Sequence, residues 1–174
     1  RDRVMNKLTN PNLADPPADG SLDLIAGPGG KISCSLRVPG DKSISHRAVI
    51  FGALAEGVTR IDGFLEGEDS LNTLAAFREM GVTATGPDAG RLVIYGVGMR
   101  GLQAPGKPLD MGNSGTAMRW LAGLLSAQNF DSELTGDESL SRRPMKRIID
   151  PLRRMGARID STPAGTPPLR IKGT

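Results

Sequence analysis

Apolar residues recur along the chain at two spacings, which predict helices alternating with strands. Spacings of three and four residues predict amphipathic helices over 42–55, 69–80, 114–127 and 145–155. Strict alternation or short apolar runs predict strands over 31–38, 58–64, 82–86, 91–96, 108–111, 130–135, 157–161 and 168–172. The pattern therefore predicts an α/β (α+β) protein with short elements.

The same pattern assigns a buried face to several elements. In the first helix, Ile44, Ala48, Phe51 and the pair Leu54-Ala55 would face the core. Cys34 has the apolar phase of the first strand and is expected to be a small core residue. The core side of the last helix would consist of Ile148, Ile149, Leu152 and Met155.

The same order of elements occurs twice along the chain, and equivalent positions of the two repeats carry similar residues. Gly67-Glu68-Asp69-Ser70-Leu71 is echoed by Gly136-Asp137-Glu138-Ser139-Leu140, and Met80-Gly81 by Met155-Gly156. A single copy of helix, strand, helix, strand and strand would leave apolar faces uncovered, so the two copies are expected to pack on each other. Chance similarity between glycine-punctuated sequences is the alternative.

These boundaries divide the chain into four segments. Residues 1–30 are rich in Asn, Asp, Pro and Gly without a periodic apolar pattern, which predicts a disordered leader. Residues 31–38 would form the first strand. The first repeat would then cover 39–105 and the second 106–174.

Composition excludes several classes of protein. No apolar run approaches the roughly 18 to 20 residues of a spanning helix, and the N-terminus lacks the apolar core of a signal peptide, so a soluble, cytoplasmic protein is expected. One cysteine and one histidine are too few for an internal disulfide or a zinc site built from these residues. The few aromatic residues are spread along the chain, which is not the stacking surface of a single-strand nucleic-acid binder.

Charge favours small anionic ligands. The net charge is only +3, but basic residues cluster late in the chain. The cluster consists of Arg142, Arg143, Lys146, Arg147, Arg153 and Arg154. Phosphorylated or carboxylated metabolites are therefore more plausible ligands than polymers.

The first candidate site is the glycine turn of residues 39–43, which leads from a strand into a helix. The first N–H groups of a helix are free and its dipole is positive there, so an anion is expected. Ser43 and Arg47 are four residues apart and could hold one carboxylate or phosphate, with Lys42 beside them. The alternative is that Asp41 or Ser43 only caps the helix and that Lys42 and Arg47 are solvated.

His46 neighbours this turn and is the only histidine of the chain. On a helix it would face a different direction from the pair Ser43 and Arg47, and the sequence shows no carboxylate partner for it. A structural role is therefore favoured over a catalytic one.

The second candidate site, residues 112–119, repeats this architecture. Gly115 would let a ligand approach the backbone amides closely, while Asn113 and Ser114 supply hydrogen-bonding groups. The segment is neither a Walker A loop nor a dinucleotide fingerprint, because the required spacings are absent. Two interpretations of the segment remain: a phosphate-binding loop of another kind, or a turn that only caps the helix.

The third candidate site contains Arg142 and Arg143. Pro144 favours the first turn of the following helix, so both arginines would lie just before a helix start, where the dipole does not favour cations. Their placement therefore indicates ligand binding.

Together these three segments resemble, in order and spacing, the N-terminal signatures of the 5-enolpyruvylshikimate-3-phosphate synthases (3-phosphoshikimate 1-carboxyvinyltransferases). The segments that carry the resemblance are residues 39–48, 112–119 and 136–145. The resemblance begins at about Lys31. It implies a fold of repeated βαβαββ units, inverse α/β barrel-like, with two of the family's six units present.

The resemblance also implies a reaction of the shikimate pathway of aromatic amino acid biosynthesis. The 5-hydroxyl of shikimate 3-phosphate adds to phosphoenolpyruvate, a tetrahedral intermediate forms and phosphate leaves, without a metal or organic cofactor. By position, Lys42 would be catalytic and contact both substrates. The other implied contacts are Ser43 and Arg47 with shikimate 3-phosphate, and Gly115 and Arg143 with phosphoenolpyruvate. Asp69 and Asn113 occupy further positions near the family's catalytic site.

Family members are more than twice this long, with two domains that close over the substrates. The resemblance therefore implies an N-terminal fragment, inactive alone and a monomer when full length. Residues 31–38 would belong to the other domain, and the third unit of this domain would be missing. Trp120 stands where many members have proline, which leaves the response to glyphosate open.

Two other functions stay open. The sister transferase that acts on UDP-N-acetylglucosamine shares the fold and the donor, but residues 41–43 and 112–116 argue against it. The second alternative is a non-catalytic anion-binding module.

Overall fold

The computed structural model describes residue 29 and residues 33–174. The chain divides into two units, Arg1–Arg37 and Val38–Thr174, and every helix and strand described below belongs to the second unit. The leader predicted over 1–30 lies outside the described residues, apart from Gly29. None of the described helices is both long and apolar enough to cross a membrane.

The first half of the second unit contains two helices and three strands. In chain order these are α1 (Lys42–Leu54), β1 (Glu56–Asp62), α2 (Glu68–Glu79), β2 (Thr83–Asp88) and β3 (Arg91–Val97). The strands form one antiparallel sheet in the order β1-β3-β2, and α1 packs against both α2 and β3. Each element lies within a few residues of its predicted range.

The second half adds a short parallel strand to the same arrangement. Its elements are β4 (Leu109–Asp110), α3 (Gly115–Leu125), β5 (Ser132–Thr135), α4 (Lys146–Arg154), β6 (Arg158–Asp160) and β7 (Leu169–Lys172). The sheet order is β4-β5-β7-β6, in which β4 is parallel to β5 and the other pairs are antiparallel. A 3₁₀ turn at Leu140–Arg142 precedes α4.

The two sheets share one topology. The first strand of each half pairs with the third, which pairs with the second, giving β1-β3-β2 and β5-β7-β6. The repeat predicted from the letters is therefore present in the fold, and the α/β fold class is confirmed. One continuous apolar core links the halves, and its largest buried side chains include Phe77, Leu92 and Leu134.

The buried face predicted for α1 is wrong at Ile44 and Phe51, whereas Leu54 packs against the core as predicted. Ile44 is 60% exposed and Phe51 is 67% exposed, whereas Val49 and Ala53 are fully buried. The physical reason is close packing, because a Cβ at Gly52 would already lie 3.2–3.3 Å from atoms of β1 and β3. Small residues, and not large apolar ones, let this helix approach the sheet.

The prediction for α4 is correct only in part. Ile149 is buried, and Ile148 and Leu152 are half-buried against the core. Met155 is 82% exposed because it follows the last residue of the helix, where the chain turns away towards β6.

The strand predicted over 31–38 does not form over its described part. Residues 33–38 have neither helix nor strand, and Cys34, Leu36 and Val38 are exposed rather than in a core. A strand needs a neighbour that pairs with its backbone groups, and among the described strands β1 pairs only with β3. The alternation of apolar residues therefore does not lead to burial.

Candidate active site

The turn before α1 is fixed by backbone packing and by a cap. A Cβ at Gly40 would overlap the carbonyl oxygen of Gly63, so only glycine fits there. The side chain of Asp41 accepts a hydrogen bond from the amide of Ile44 at 2.7 Å and caps the helix. The capping alternative is therefore realised by Asp41, and its carboxylate already occupies an amide that a ligand anion would need.

Side chains supply the positive charge at this helix start. The ammonium nitrogen of Lys42 lies 3.0 Å from a carboxylate oxygen of Asp69, which belongs to the first turn of α2. The Lys42 side chain is 57% exposed and that of Asp69 is 22% exposed, so the ion pair adds little to stability. Its effect is to hold the lysine in one place while leaving its remaining N–H donors accessible.

Ser43 and Arg47 lie on α1 as their spacing predicts. Ser43 is half-buried and Arg47 is exposed, and four residues separate them on the helix surface. Their predicted contact with a carboxylate stays a prediction.

His46 faces away from this pair and into the protein, as expected from its position. It is 1% exposed, and its Nδ1 lies 2.8 Å from Oγ1 of Thr73. The Thr73 hydroxyl also lies 3.2 Å from the Asp69 carbonyl oxygen, and when it donates there, Nδ1 is the donor towards Thr73. Burial lowers the pKa of His46 and so keeps the ring neutral, with the nearby Lys42 charge acting in the same direction and Asp69 opposing it.

The loop before α3 also requires a glycine. Gly112 has φ of +53°, and a Cβ there would overlap the side-chain nitrogen of Asn72. Ser114 is buried and caps α3, accepting from the amide of Ala117 at 3.2 Å. Among the described residues, the amide of Thr116 has no hydrogen-bond acceptor. In contrast to α1, whose cap is the carboxylate of Asp41, this helix has a neutral cap.

Arg143 points towards this free helix start. Its guanidinium donates to the carbonyl oxygen of Asn113 at 3.2 Å, to the side-chain oxygen of the same residue and to Ser139 Oγ at 3.3 Å. The Nη1 atom lies 3.5 Å from the position that a Cβ on Gly115 would take. The predicted pair Gly115 and Arg143 is therefore brought together.

Asn113 is the link that orients this arginine. Its amide nitrogen donates to Asp137 at 2.7 Å, which leaves its oxygen facing Arg143. The amide of Leu140, the Asn113 side chain and the Arg143 charge lower the pKa of Asp137, so its carboxylate stays ionised. Asn113 thus acts on the position of Arg143.

Arg142 does not share this role, contrary to the sequence expectation. It is exposed and forms an ion pair with Glu138, one turn earlier in the chain. Arg142 ends a 3₁₀ turn and Arg143 is its C-cap residue, and no sequence pattern predicted this turn.

The N-termini of α1 and α3 lie close together, because α2 contacts the chain at both of them and a pair of rings joins the two helices. Asp69 on α2 holds Lys42, and Asn72, three residues later, packs against Gly112. The rings of His46 and Trp120 meet edge to face, with centroids 6.0 Å apart. The sequence did not predict these contacts, since side chains far apart in the chain make them.

The fold and this arrangement define an α/β protein of repeated units in which two neighbouring helix starts are suited to small anions. The chain belongs to the EPSP synthase (3-phosphoshikimate 1-carboxyvinyltransferase) family, whose model matches residues 27–174. This result confirms the resemblance found in the three sequence segments.

Individual relatives agree with this assignment. The 3-phosphoshikimate 1-carboxyvinyltransferases of Methylococcus capsulatus and Nitrosococcus oceani are 63% and 62% identical to the chain, over 155 and 153 residues. The matches cover 89% and 88% of this chain but only 36% and 34% of the relatives. A solved structure of EPSP synthase from Acinetobacter baumannii matches with a TM-score of 0.78 at 62% identity, covering 79% of this chain and 31% of that one. The chain thus spans about a third of the length of these relatives.

Proposed function

We propose that the full-length protein containing this chain transfers the enolpyruvyl group of phosphoenolpyruvate to the 5-hydroxyl of shikimate 3-phosphate and releases phosphate. The observation that carries the proposal is the pair of adjacent helix starts with different charge. The N-terminus of α1 has the carboxylate of Asp41 as its cap and the ion-paired Lys42 beside it. The N-terminus of α3 has the neutral cap Ser114 and guanidinium groups beside it. Two different anionic substrates match two such places side by side.

The α3 start is the better place for the phosphate of phosphoenolpyruvate. The amide of Thr116, the positive end of the helix dipole and the guanidinium of Arg143 all act on an anion above Gly115. Charge-assisted hydrogen bonds to phosphate are stronger than neutral ones. When the phosphate leaves during the reaction, these groups would stabilise its growing negative charge.

Shikimate 3-phosphate would bind at the α1 start through side chains. Ser43 and Arg47 would hold its carboxylate, since the backbone amide of Ile44 is already occupied by Asp41. From the family resemblance, Lys42 would contact both substrates, and Asp69, 3.0 Å from its ammonium nitrogen, would position that group. Asn113 would contribute indirectly by orienting Arg143.

The full-length protein is proposed to act as a cytoplasmic monomer on these two small metabolites. The scarcity of aromatic residues argues against a nucleic-acid partner.

A phosphate-release assay on a full-length protein that carries this segment tests the proposal. Phosphate should appear only when both shikimate 3-phosphate and phosphoenolpyruvate are present, and mass spectrometry should find the enolpyruvyl ether. Lys42→Met should lose most of this activity, while Arg91→Gln, an exposed arginine paired with Asp88, should keep it. Turnover with UDP-N-acetylglucosamine in place of shikimate 3-phosphate, or no turnover at all, would contradict the proposal.

A further inference from the structure

Arg119 is a second guanidinium at the α3 start, and neither the sequence motifs nor the function proposed above gives it a role. It lies four residues after Gly115 on the same helix, and helical side chains lean towards the N-terminus. Its Nη1 atom is 2.7 Å from the position that a Cβ on Gly115 would take. Arg119 therefore reaches back over the start of its own helix.

The guanidinium groups of Arg119 and Arg143 converge on one place. Both have a nitrogen within 3.5 Å of the same point above Gly115. Arg147, in the first turn of α4, adds a third positive charge whose field reaches Arg119. Like charges this close repel each other, so the arrangement has an energetic cost unless an anion lies between them.

No carboxylate of the described residues balances Arg119. It forms no ion pair there, and its single hydrogen bond, to the Pro144 carbonyl, is long at 3.5 Å. Its Nε is buried without a hydrogen-bond acceptor. Burial and the charges of Arg147 and Arg143 lower its pKa, the direction expected for a cation placed where the protein provides no counter-charge.

The two arginines differ in how many donors remain for a ligand. Arg143 already donates to Asn113 and Ser139, which fix its orientation. Towards the described residues, Arg119 uses only one of its five N–H groups, in a long hydrogen bond of 3.5 Å. A tetrahedral dianion presents enough oxygen acceptors to take the free donors of both residues, whereas a carboxylate has only two oxygens.

We propose that Arg119 binds the phosphate of phosphoenolpyruvate directly, so that it and Arg143 hold this group from two sides above Gly115. This inference rests on the proposed function and adds a binding residue to the same site. It makes the α3 start selective for a doubly charged phosphate. Arg119 should therefore affect phosphoenolpyruvate and released phosphate, but not shikimate 3-phosphate at the α1 start.

The test uses a full-length protein that carries this segment and compares Arg119→Gln with Arg119→Lys. Arg154→Gln on α4 serves as the control, because Arg154 is equally cationic but exposed and outside the site. Three quantities are measured: the KM for phosphoenolpyruvate, the inhibition constant of inorganic phosphate against phosphoenolpyruvate, and the calorimetric Kd of shikimate 3-phosphate. Thermal unfolding verifies that each variant is folded.

Arg119→Gln should raise the first two quantities roughly tenfold to a hundredfold, as expected for loss of a charge-assisted contact. The Kd of shikimate 3-phosphate should stay within about threefold, and Arg119→Lys should recover part of the loss because it restores the charge. If Arg119→Gln leaves the KM and the phosphate inhibition unchanged, or weakens both substrates equally, the proposal is wrong. If the unmodified protein is active and Arg119→Gln behaves like it, only this inference is overturned. If the unmodified protein itself shows no turnover, the proposed function is overturned.

Discussion

Lys42 and His46 lie one helical turn apart on α1 but have opposite surroundings. The side chain of Lys42 is more than half exposed and its ammonium group is paired with Asp69, so its other N–H donors are accessible to a ligand. The ring of His46 is buried between Thr73 and Trp120. The lysine is therefore placed to act on ligands and the histidine to support packing.

The first prediction follows from this difference. In a full-length protein, Lys42→Met should lower kcat/KM at least roughly tenfold to a hundredfold, because a charge-assisted contact contributes about 1.5–3 kcal/mol. His46→Asn should change kcat/KM by no more than about threefold. Steady-state kinetics in both substrates decide this, and an equal loss in the two variants would show that the roles are assigned wrongly.

The pKa of His46 gives a second prediction. Because burial lowers this pKa below its ordinary value of 6.5, the folded chain resists protonation that the unfolded chain accepts. Well above pH 6.5 both states are neutral and His46 has no effect on the pH dependence. As the pH falls below 6.5, the unfolded state gains a proton first, so the free energy of unfolding decreases.

Two measurements on the 174-residue chain check this behaviour. Since His46 is its only histidine, the NMR titration of the imidazole is unambiguous and should give a pKa below 6.5. The free energy of unfolding of the unmodified chain, relative to that of His46→Asn, should fall between pH 7.5 and 5.5. A titration at or above 6.5 would show that the ring is hydrated in solution.

At the scale of elements, glycines decide how closely helices and turns approach each other. Gly40 packs against the carbonyl of Gly63, and no Cβ fits between them. At Gly123, inside α3, nothing lies within 4 Å of an added Cβ. One glycine is therefore required by packing, and the other only lowers the stability of its helix.

The third prediction compares these two positions. Gly40→Ala should destabilise the chain by about 1–3 kcal/mol, since the adjoining backbone would have to move. Gly123→Ala should stabilise it by about 0.5–1 kcal/mol through helix propensity and reduced chain entropy. Denaturant unfolding measures both changes, and a stabilising Gly40→Ala would mean that the turn before α1 is not as close to Gly63 as described.

The positions of the elements could be predicted from sequence, but their buried faces could not always be. Hydrophobic spacing placed α1 and α2 within a residue or two of their true ends. It failed for the core face of α1, because Gly52 and Ala53 pack against the sheet while Phe51 is exposed. Spacing reports apolar side chains, whereas close packing between elements depends on small ones.

At the scale of the whole molecule, the candidate residues were predictable but their contacts were not. The motifs pointed to Lys42, Gly115 and Arg143, and the fold brings the last two together. The ion pair of Lys42 with Asp69 joins residues 27 positions apart, a relation that no local pattern shows. The sequence pattern assigns no role to Arg119, because an arginine inside a helix is typical of a solvated surface.

The fourth prediction is that residues 1–174 alone have no measurable transferase activity. The chain covers only 36% and 34% of its relatives from Methylococcus capsulatus and Nitrosococcus oceani, and its helix starts are open to solvent at Lys42. Transfer of an enolpyruvyl group requires a site that excludes water, and closing such a site needs a second domain opposite these helix starts. Release of phosphate by this chain above a no-enzyme control would show that the second domain is not required.

The central claim is that the two helix starts bind different substrates, and Gly115→Ala in a full-length protein tests it most directly. The atoms nearest to an added Cβ belong to the ends of the Arg119 and Arg143 side chains, so the fold should tolerate the methyl group while it fills the position proposed for the phosphate. Gly123→Ala on the same helix is the matched control, since it adds a methyl group in open space.

Calorimetric titration with shikimate 3-phosphate is combined with steady-state kinetics in phosphoenolpyruvate. Gly115→Ala should raise the KM for phosphoenolpyruvate, while the Kd of shikimate 3-phosphate stays within about threefold, or about 0.7 kcal/mol. Gly123→Ala should change none of these values. Equal weakening of both substrates by Gly115→Ala would contradict the account, because Gly115 would then support the fold and not the phosphate.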